Sequence, residues 1–248
     1  MHNIINPLVR ACLSLSQEDF YDALIKKIDD YFLNYNSKDN IVGFSNIKNK
    51  NKLKGNLFEY MCYQHLKLGS FSNIKVKDIW LFSDLPEDLR KRFNFTNKDM
   101  GIDIIVFTIS GEWLAIQCKY KKKSNHSKTP NGMYIKHQVP WTALSTFYSL
   151  CERTGPQEGW GRYVVMTTAQ SVNRQGRKSQ KDLSICEGSF RNIHKSFWFQ
   201  FIGDVGRTTG SFLDEKDIES KEKDESKETP NLEELRMKRL KLYEVKKD

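Results

Sequence analysis

Two short apolar runs separated by a glycine turn constrain this chain more than any other feature: Ile102-Asp103-Ile104-Ile105-Val106-Phe107 and Leu114-Ala115-Ile116-Gln117-Cys118-Lys119-Tyr120. They read as the two strands of a β-hairpin, yet each carries polar groups. The first holds a lone carboxylate, Asp103, and the second holds Gln117 and Lys119. Strand side chains alternate between faces, so Gln117 and Lys119 point the same way. Whether Asp103 joins them depends on the loop. A two-residue turn at Ser110-Gly111 pairs Asp103 with Cys118 and turns it to the other face. A three-residue loop, Ile109-Ser110-Gly111 with Gly111 left-handed, pairs Asp103 directly with Gln117. With that register, or a bulge of equal effect, a carboxylate, an amide oxygen and an ammonium meet in one place. That is a metal site beside a lysine, the constellation that phosphodiester cleavage needs. The plainer alternative is an Asp103–Lys119 ion pair, because a carboxylate in an apolar run is costly unless paired or metal-bound.

The surrounding pattern is mixed α/β. Residues 17–35 read as a helix, with Phe20, Leu24, Ile28 and Tyr31/Phe32 on one stripe and Ser16 as N-cap. A Lys/Asn-rich linker, Asn34 to Asn51, leads to a second helix over Leu53 to Leu68, ended by Gly69. Lys75 to Phe82 reads as a strand, and Ser83 to Arg92 as a short helix with Pro86 near its start. After the hairpin come a polar loop (Lys121 to Asn131), a helix (His137 to Cys151) and a strand (Arg162 to Thr168). A basic loop, Gln170 to Lys181, is followed by a last strand, Lys195 to Gly203. The order implies an α/β core with a mixed sheet flanked by helices.

Charge is uneven. Residues 213–248 hold 10 basic and 12 acidic residues, which leaves 30 basic against 19 acidic, a net +11, in residues 1–212. A basic body favours a polyanion, although Lys-rich composition has the same effect on charge without any partner. Two basic runs stand out as phosphate contacts: Lys121, Lys122, Lys123 and Lys128 just after the hairpin, and Arg174, Arg177 and Lys178 further on. Solvated loops are the competing reading for both. The five cysteines, Cys12, Cys62, Cys118, Cys151 and Cys186, form no C-x-x-C pair, which argues against a disulfide framework or a zinc ribbon. Pro7 and Arg10 interrupt the N-terminal apolar stretch, so no signal peptide is read, and no run approaches a membrane span. The expected setting is intracellular and reducing, cytoplasmic or nuclear.

Three segments together resemble the PD-(D/E)xK nuclease superfamily in its Mrr-type restriction endonuclease branch. They are Gly55-Asn56-Leu57-Phe58-Glu59 on a helix, Gly101-Ile102-Asp103-Ile104-Ile105 on a strand, and Ala115-Ile116-Gln117-Cys118-Lys119 on the next. The strand ending Val165-Met166-Thr167-Thr168-Ala169 also looks like the family's later core strand, and Trp80 to Lys123 is similar to nuclease domains of restriction-type and viral helicases. The resemblance covers roughly residues 53–203. It implies a restriction-endonuclease-like domain over 51–212, with an N-terminal helical extension and linker over 1–50. Residues 213–248 would be a charged, disordered tail in which a terminal helix could follow Thr229-Pro230.

The resemblance also implies a Mg²⁺-dependent DNA endonuclease, Mn²⁺ being an alternative ion. Asp103 and the Gln117 amide oxygen would be metal ligands, with the Cys118 carbonyl a further candidate. Lys119 would position or deprotonate water and stabilise the phosphate, and Glu59 would support the ion. The Mrr branch often has glutamine where the wider superfamily has an acid. That substitution removes a negative charge, and it leaves open a second reading, a non-catalytic nucleic-acid-binding or assembly module that keeps the fold. No residue identifies a 2′-hydroxyl reader, so RNA stays open beside DNA. Paired cuts in a duplex need two sites, which a homodimer would supply.

Overall fold

The computed structural model describes residues 1–34, 50–96, 101–122, 137–177 and 179–206. The helices are α1 (His2–Arg10), α2 (Gln17–Asn34), α3 (Lys50–Lys67), α4 (Glu87–Arg92), α5 (Ser145–Arg153), α6 (Glu187–Arg191) and α7 (Lys195–Gly206). The strands are β1 (Val76–Leu81), β2 (Ile104–Thr108), β3 (Trp113–Lys119), β4 (Gln138–Val139), β5 (Arg162–Thr167), β6 (Ser171–Val172) and β7 (Asp182–Ile185). Five strands form one sheet in the order β1-β2-β3-β5-β7, and β4 with β6 forms a small second sheet. β1, β2 and β3 run antiparallel, whereas β5 and β7 run parallel to β3. The sheet is therefore mixed, as the sequence implied.

Alternation along the strands explains the layering. Ile104, Val106, Leu114, Ile116, Val164 and Met166 join one core with α1, α2, α3 and α7. Ile105, Trp113, Ala115, Tyr163 and Val165 join a second core with Phe147, Tyr148 and Leu150 of α5. A sheet covered on both faces needs apolar residues at every strand position, which is why β2 and β3 read as continuous apolar runs. The N-terminal helices belong to the first core: Ile5 and Val9 of α1 and Phe20 and Leu24 of α2 are buried there with Trp198 of α7. Residues 1–209 make one compact unit.

The hairpin has the three-residue loop. Ile104 pairs with Ile116 and Phe107 with Trp113, the Thr108 N–H donates to the Glu112 carbonyl at 2.9 Å, and Gly111 has φ +85°. Ser16 caps α2 as expected, accepting the Asp19 N–H at 3.1 Å while its hydroxyl donates to the Asp19 carboxylate at 2.6 Å.

Several elements differ from the sequence reading. Lys195 to Gly203 is helix, not strand. Trp198, Phe201 and Ile202 are buried while Phe199 is 57% exposed, a 3.6-residue stripe that a short aromatic run disguises as alternation. His194 caps this helix through its Nδ1, which accepts the Ser196 N–H at 3.3 Å. The fifth strand of the sheet is instead β7, a half-polar edge segment just beyond the basic loop, in a stretch to which the sequence reading assigns no element. Only Ser145–Arg153 of the expected 137–151 helix is α-helical, preceded by β4 and a 3-10 turn. Helix α1 carries Pro7 inside it, and burial of Ile4, Ile5 and Val9 offsets the missing donor. Most of the Asn34–Asn51 linker and the whole 213–248 tail lie outside the described residues.

Candidate functional site

The three hairpin residues sit where β2 and β3 part. The regular ladder ends at Ile104–Ile116, and one further step would set Asp103 opposite Gln117. Asp103 departs from that step. Its N–H donates to the Ile116 carbonyl at 2.9 Å, and its carbonyl accepts the Phe82 N–H at 2.9 Å. Its carboxylate Oδ2 accepts the Cys118 N–H at 2.6 Å, taking the place of a main-chain acceptor. Ile102 packs in the same core as Ile105, which strict alternation forbids. The chain is thus irregular at Asp103, and the carboxylate lies in the seam between the strands.

Gln117 is 3% exposed, and its Oε1 is buried without a hydrogen-bond partner. Such an orphan acceptor costs about 1–3 kcal/mol. Its amide lies against Gly101, where an added Cβ would come within 3.2 Å of Gln117 Nε2 and 3.7 Å of the Phe147 backbone. Gly101 also has φ +109°, so the glycine before Ile102-Asp103 is required twice over. Lys119 closes β3, half-buried, and among the described residues no ion pair holds it. The Asp103–Lys119 pair that sequence alone left open is not formed.

Glu59 lies half-buried on α3, beside the buried stripe of Leu57, Phe58, Met61 and Cys62. Burial pushes both the Cys62 and the Cys118 thiols up, and the carboxylates of Asp103 and Glu59 push them further. Both thiols therefore stay protonated and serve as packing residues. The same electrostatics put Asp103 and Glu59 within reach of one thiol pair on the α3 side. Gln117, by contrast, reaches its neighbours on the α5 side. The Asp103 carboxylate is thus held in the seam by the Cys118 N–H, one residue from Gln117, and Glu59 acts on the same thiols from α3. Among the described residues no group of three or more His, Cys, Asp or Glu is arranged to hold a metal ion.

The basic residues divide. Lys121 and Lys122 are exposed directly after β3, whereas Lys123, Lys128 and Lys178 lie outside the described residues. Arg174 and Arg177 do not form a solvent-facing phosphate loop. Arg174 donates to the Tyr148 hydroxyl at 2.8 Å and to Ser184 Oγ at 2.8 Å. Arg177 pairs with Glu152 at 3.1 Å and stacks over Tyr148 at 4.5 Å. Both approach the buried Asp182 carboxylate, at 3.7 and 3.5 Å. Their charge is spent on holding the 170–181 loop to α5 and β7, which spacing along the chain does not reveal.

Other contacts at the site were absent from the sequence reading. Tyr120 donates to Asp29 Oδ1 at 2.9 Å, and Lys54 Nζ lies 2.7 Å from the same oxygen, which ties α2, α3 and the end of β3 together. Burial, then the Asp29 carboxylate, drives the Tyr120 hydroxyl well above its usual range, so it remains a donor. The only sequence signal was alternation, which turns Tyr120 to the side of Cys118.

A mixed sheet between two helical layers, with an acid at the head of one strand and an amide–lysine pair on the next, defines a restriction-endonuclease-like α/β protein. Residues 70–196, just over half of the chain, match the restriction endonuclease family of the Mrr type, and the chain belongs to that family. No curated protein matches it. Among solved structures it is similar to the ATP-dependent Type ISP restriction-modification enzyme LlaBIII bound to DNA, at 18% identity over 57% of this chain, with a TM-score of 0.37. That match spans 8% of the enzyme's length. No helix among the described residues is long and apolar enough to cross a membrane.

Proposed function

We propose that this protein is a divalent-metal-dependent endonuclease that hydrolyses DNA phosphodiester bonds, leaving 5′-phosphate and 3′-hydroxyl ends. The observation that carries the reading is the buried Oε1 of Gln117, which has no hydrogen-bond partner among the described residues, two residues before an ammonium that none of them pairs and next to the Asp103 seam. The donors fit a hard cation such as Mg²⁺ or Mn²⁺, since amide and carboxylate oxygens are its preferred ligands. Asp103 and Gln117 would hold it, with Glu59 in support. Once bound, such an ion lowers the pKa of water and neutralises phosphate charge. Lys119, with its charge uncommitted, orients the attacking water and stabilises charge on the phosphate. The Cys118 N–H fixes the Asp103 carboxylate in place, and Lys121 and Lys122 bind the flanking phosphates.

The test is cleavage of supercoiled, linear, single-stranded and methylated DNA, and of RNA, with Mg²⁺, Mn²⁺ or EDTA. Cutting that needs the metal and disappears in Asp103→Ala and Lys119→Ala, with the fold intact, is the expected result. Either variant cutting plasmid as well as the parent removes that residue from the site. Sedimentation with DNA tests the homodimer that paired cuts call for. The five free cysteines suit a reducing, intracellular compartment.

One observation favours a second reading, a nucleic-acid-binding module without chemistry. The Gln117 amide lies against Gly101, and among the described residues no group of three or more His, Cys, Asp or Glu is arranged to hold a metal ion. Calorimetric titration separates the two: DNA affinity without Mg²⁺ or Mn²⁺ binding supports the module and ends the nuclease reading.

A further inference from the structure

We propose that Thr167 and Thr168 are positioning residues: Thr167 sets Lys119 for the chemical step, and Thr168 presents Lys121 to a phosphate. The inference rests on the nuclease reading above.

Both threonines are buried, at 0% and 4% exposure, at the end of β5. Thr167 is the ladder partner of Lys119 in the parallel β3–β5 pair. Its hydroxyl donates to the Lys119 carbonyl at 2.7 Å and accepts the Ala169 N–H at 3.1 Å. The Thr168 hydroxyl accepts the Lys121 N–H at 2.8 Å and donates to the Lys121 carbonyl at 2.9 Å. One side chain thus satisfies both main-chain groups of Lys121. Between the two held residues, Tyr120 is pinned by Asp29. Three consecutive residues leaving β3 are held by side chains from two different elements.

This arrangement exceeds what strand pairing requires. Buried strand positions are met by apolar β-branched residues, as Val164 and Val165 of β5 are. Valine has the shape of threonine, so a buried hydroxyl is retained for its bonds. Here all but one of those bonds end on Lys119 and Lys121. A lysine side chain is long and flexible, so its ammonium is placed only as well as its backbone is held. A displacement of about 1 Å at a reacting group costs roughly a hundredfold in rate.

The two hydroxyls grip different residues, and steady-state kinetics on plasmid DNA with Mg²⁺ separates them. Thr167→Val is expected to lower kcat by about tenfold to a hundredfold with KM little changed. Thr168→Val is expected to raise KM with kcat little changed, and to shrink the slope of log affinity against log salt by about one contact. Lys121→Ala should have that same effect, and adding it to Thr168→Val should bring no further loss. Thr167→Ser and Thr168→Ser keep the hydroxyls and should restore each parameter. A purely structural role would lower the melting temperature and move kcat and KM together in both variants, which overturns the inference. So do valine variants that cut and bind as the parent does. A parent that binds DNA but does not cut ends the nuclease reading and the Thr167 half with it. A parent that cuts beside unchanged valine variants overturns the positioning role alone.

Discussion

Gln117 is the residue on which the chemistry is most exposed to test. It presents a neutral oxygen where an acid would add a second negative charge beside Asp103. Gln117→Glu is expected to tighten Mn²⁺ binding by about tenfold, roughly 1.4 kcal/mol, in a calorimetric titration. Unchanged affinity would mean that the side chain takes no part in holding an ion. Its neighbour Gly101 makes room for it, so Gly101→Ala meets both a positive φ and the 3.2 Å approach to Nε2. A loss of about 1–3 kcal/mol in a urea unfolding curve is expected. His65 offers a test at the same scale. It is fully buried among Trp198, Phe201 and Phe71, and burial pushes its pKa down to about 3. Between pH 6.5 and that value the unfolded chain binds a proton that the folded chain refuses. Stability contributed by neutral His65 is therefore whole above pH 6.5 and declines as the pH falls towards 3. His65→Phe should flatten that part of the stability profile, and an unaltered slope would place the titration elsewhere.

Elements are joined at the site by few contacts, and these can be measured. Asp29 on α2 receives both Lys54 of α3 and Tyr120 at the end of β3 on one oxygen. Tyr120→Phe should cost about 1 kcal/mol and Asp29→Ala about 1–3 kcal/mol in denaturant midpoints. The two losses should not add, because they remove a shared partner. Full additivity would show the bonds to be independent. Helices α2 and α3, strand β1, the two strands of the hairpin and β5 were legible before any coordinates, because each carries a clear apolar pattern and a cap or turn residue. The loop length of the hairpin was not, since a two- and a three-residue turn both suit Ser110-Gly111. The aromatic run at 197–202 was not: its short length fits period 2 and period 3.6 alike, and only packing of Trp198 and Phe201 against α2 and α3 chooses the helix. Strand β7 was hidden for the opposite reason. An edge strand with half-exposed residues has no apolar run to announce it.

At the scale of the molecule, the stretch that defines the family contains the second core whole but only part of the first. Residues 70–196 leave out α1, α2, α3 and nearly all of α7, which supply most of the cover on one face of the sheet. A fragment of residues 70–196 is expected to show no cooperative thermal transition, whereas 1–206 should melt as one unit, read by circular dichroism. A cooperative transition in the short fragment would contradict a shared core. Glu59 lies outside the matched stretch as well, so the helical layer brings both stability and a carboxylate. The sequence by itself determined the mixed α/β class and the two hairpin strands that carry Asp103, Gln117 and Lys119, while the loop length between those strands stayed open. The class and the strands follow from the periods and turns of consecutive residues. Only the tertiary structure decided that Gln117 Oε1 lacks a partner, that Asp182 neutralises Arg174 and Arg177, and that Thr167 and Thr168 grip the lysine segment. Those outcomes depend on groups far apart along the chain, and burial away from water makes each pairing, or its absence, count.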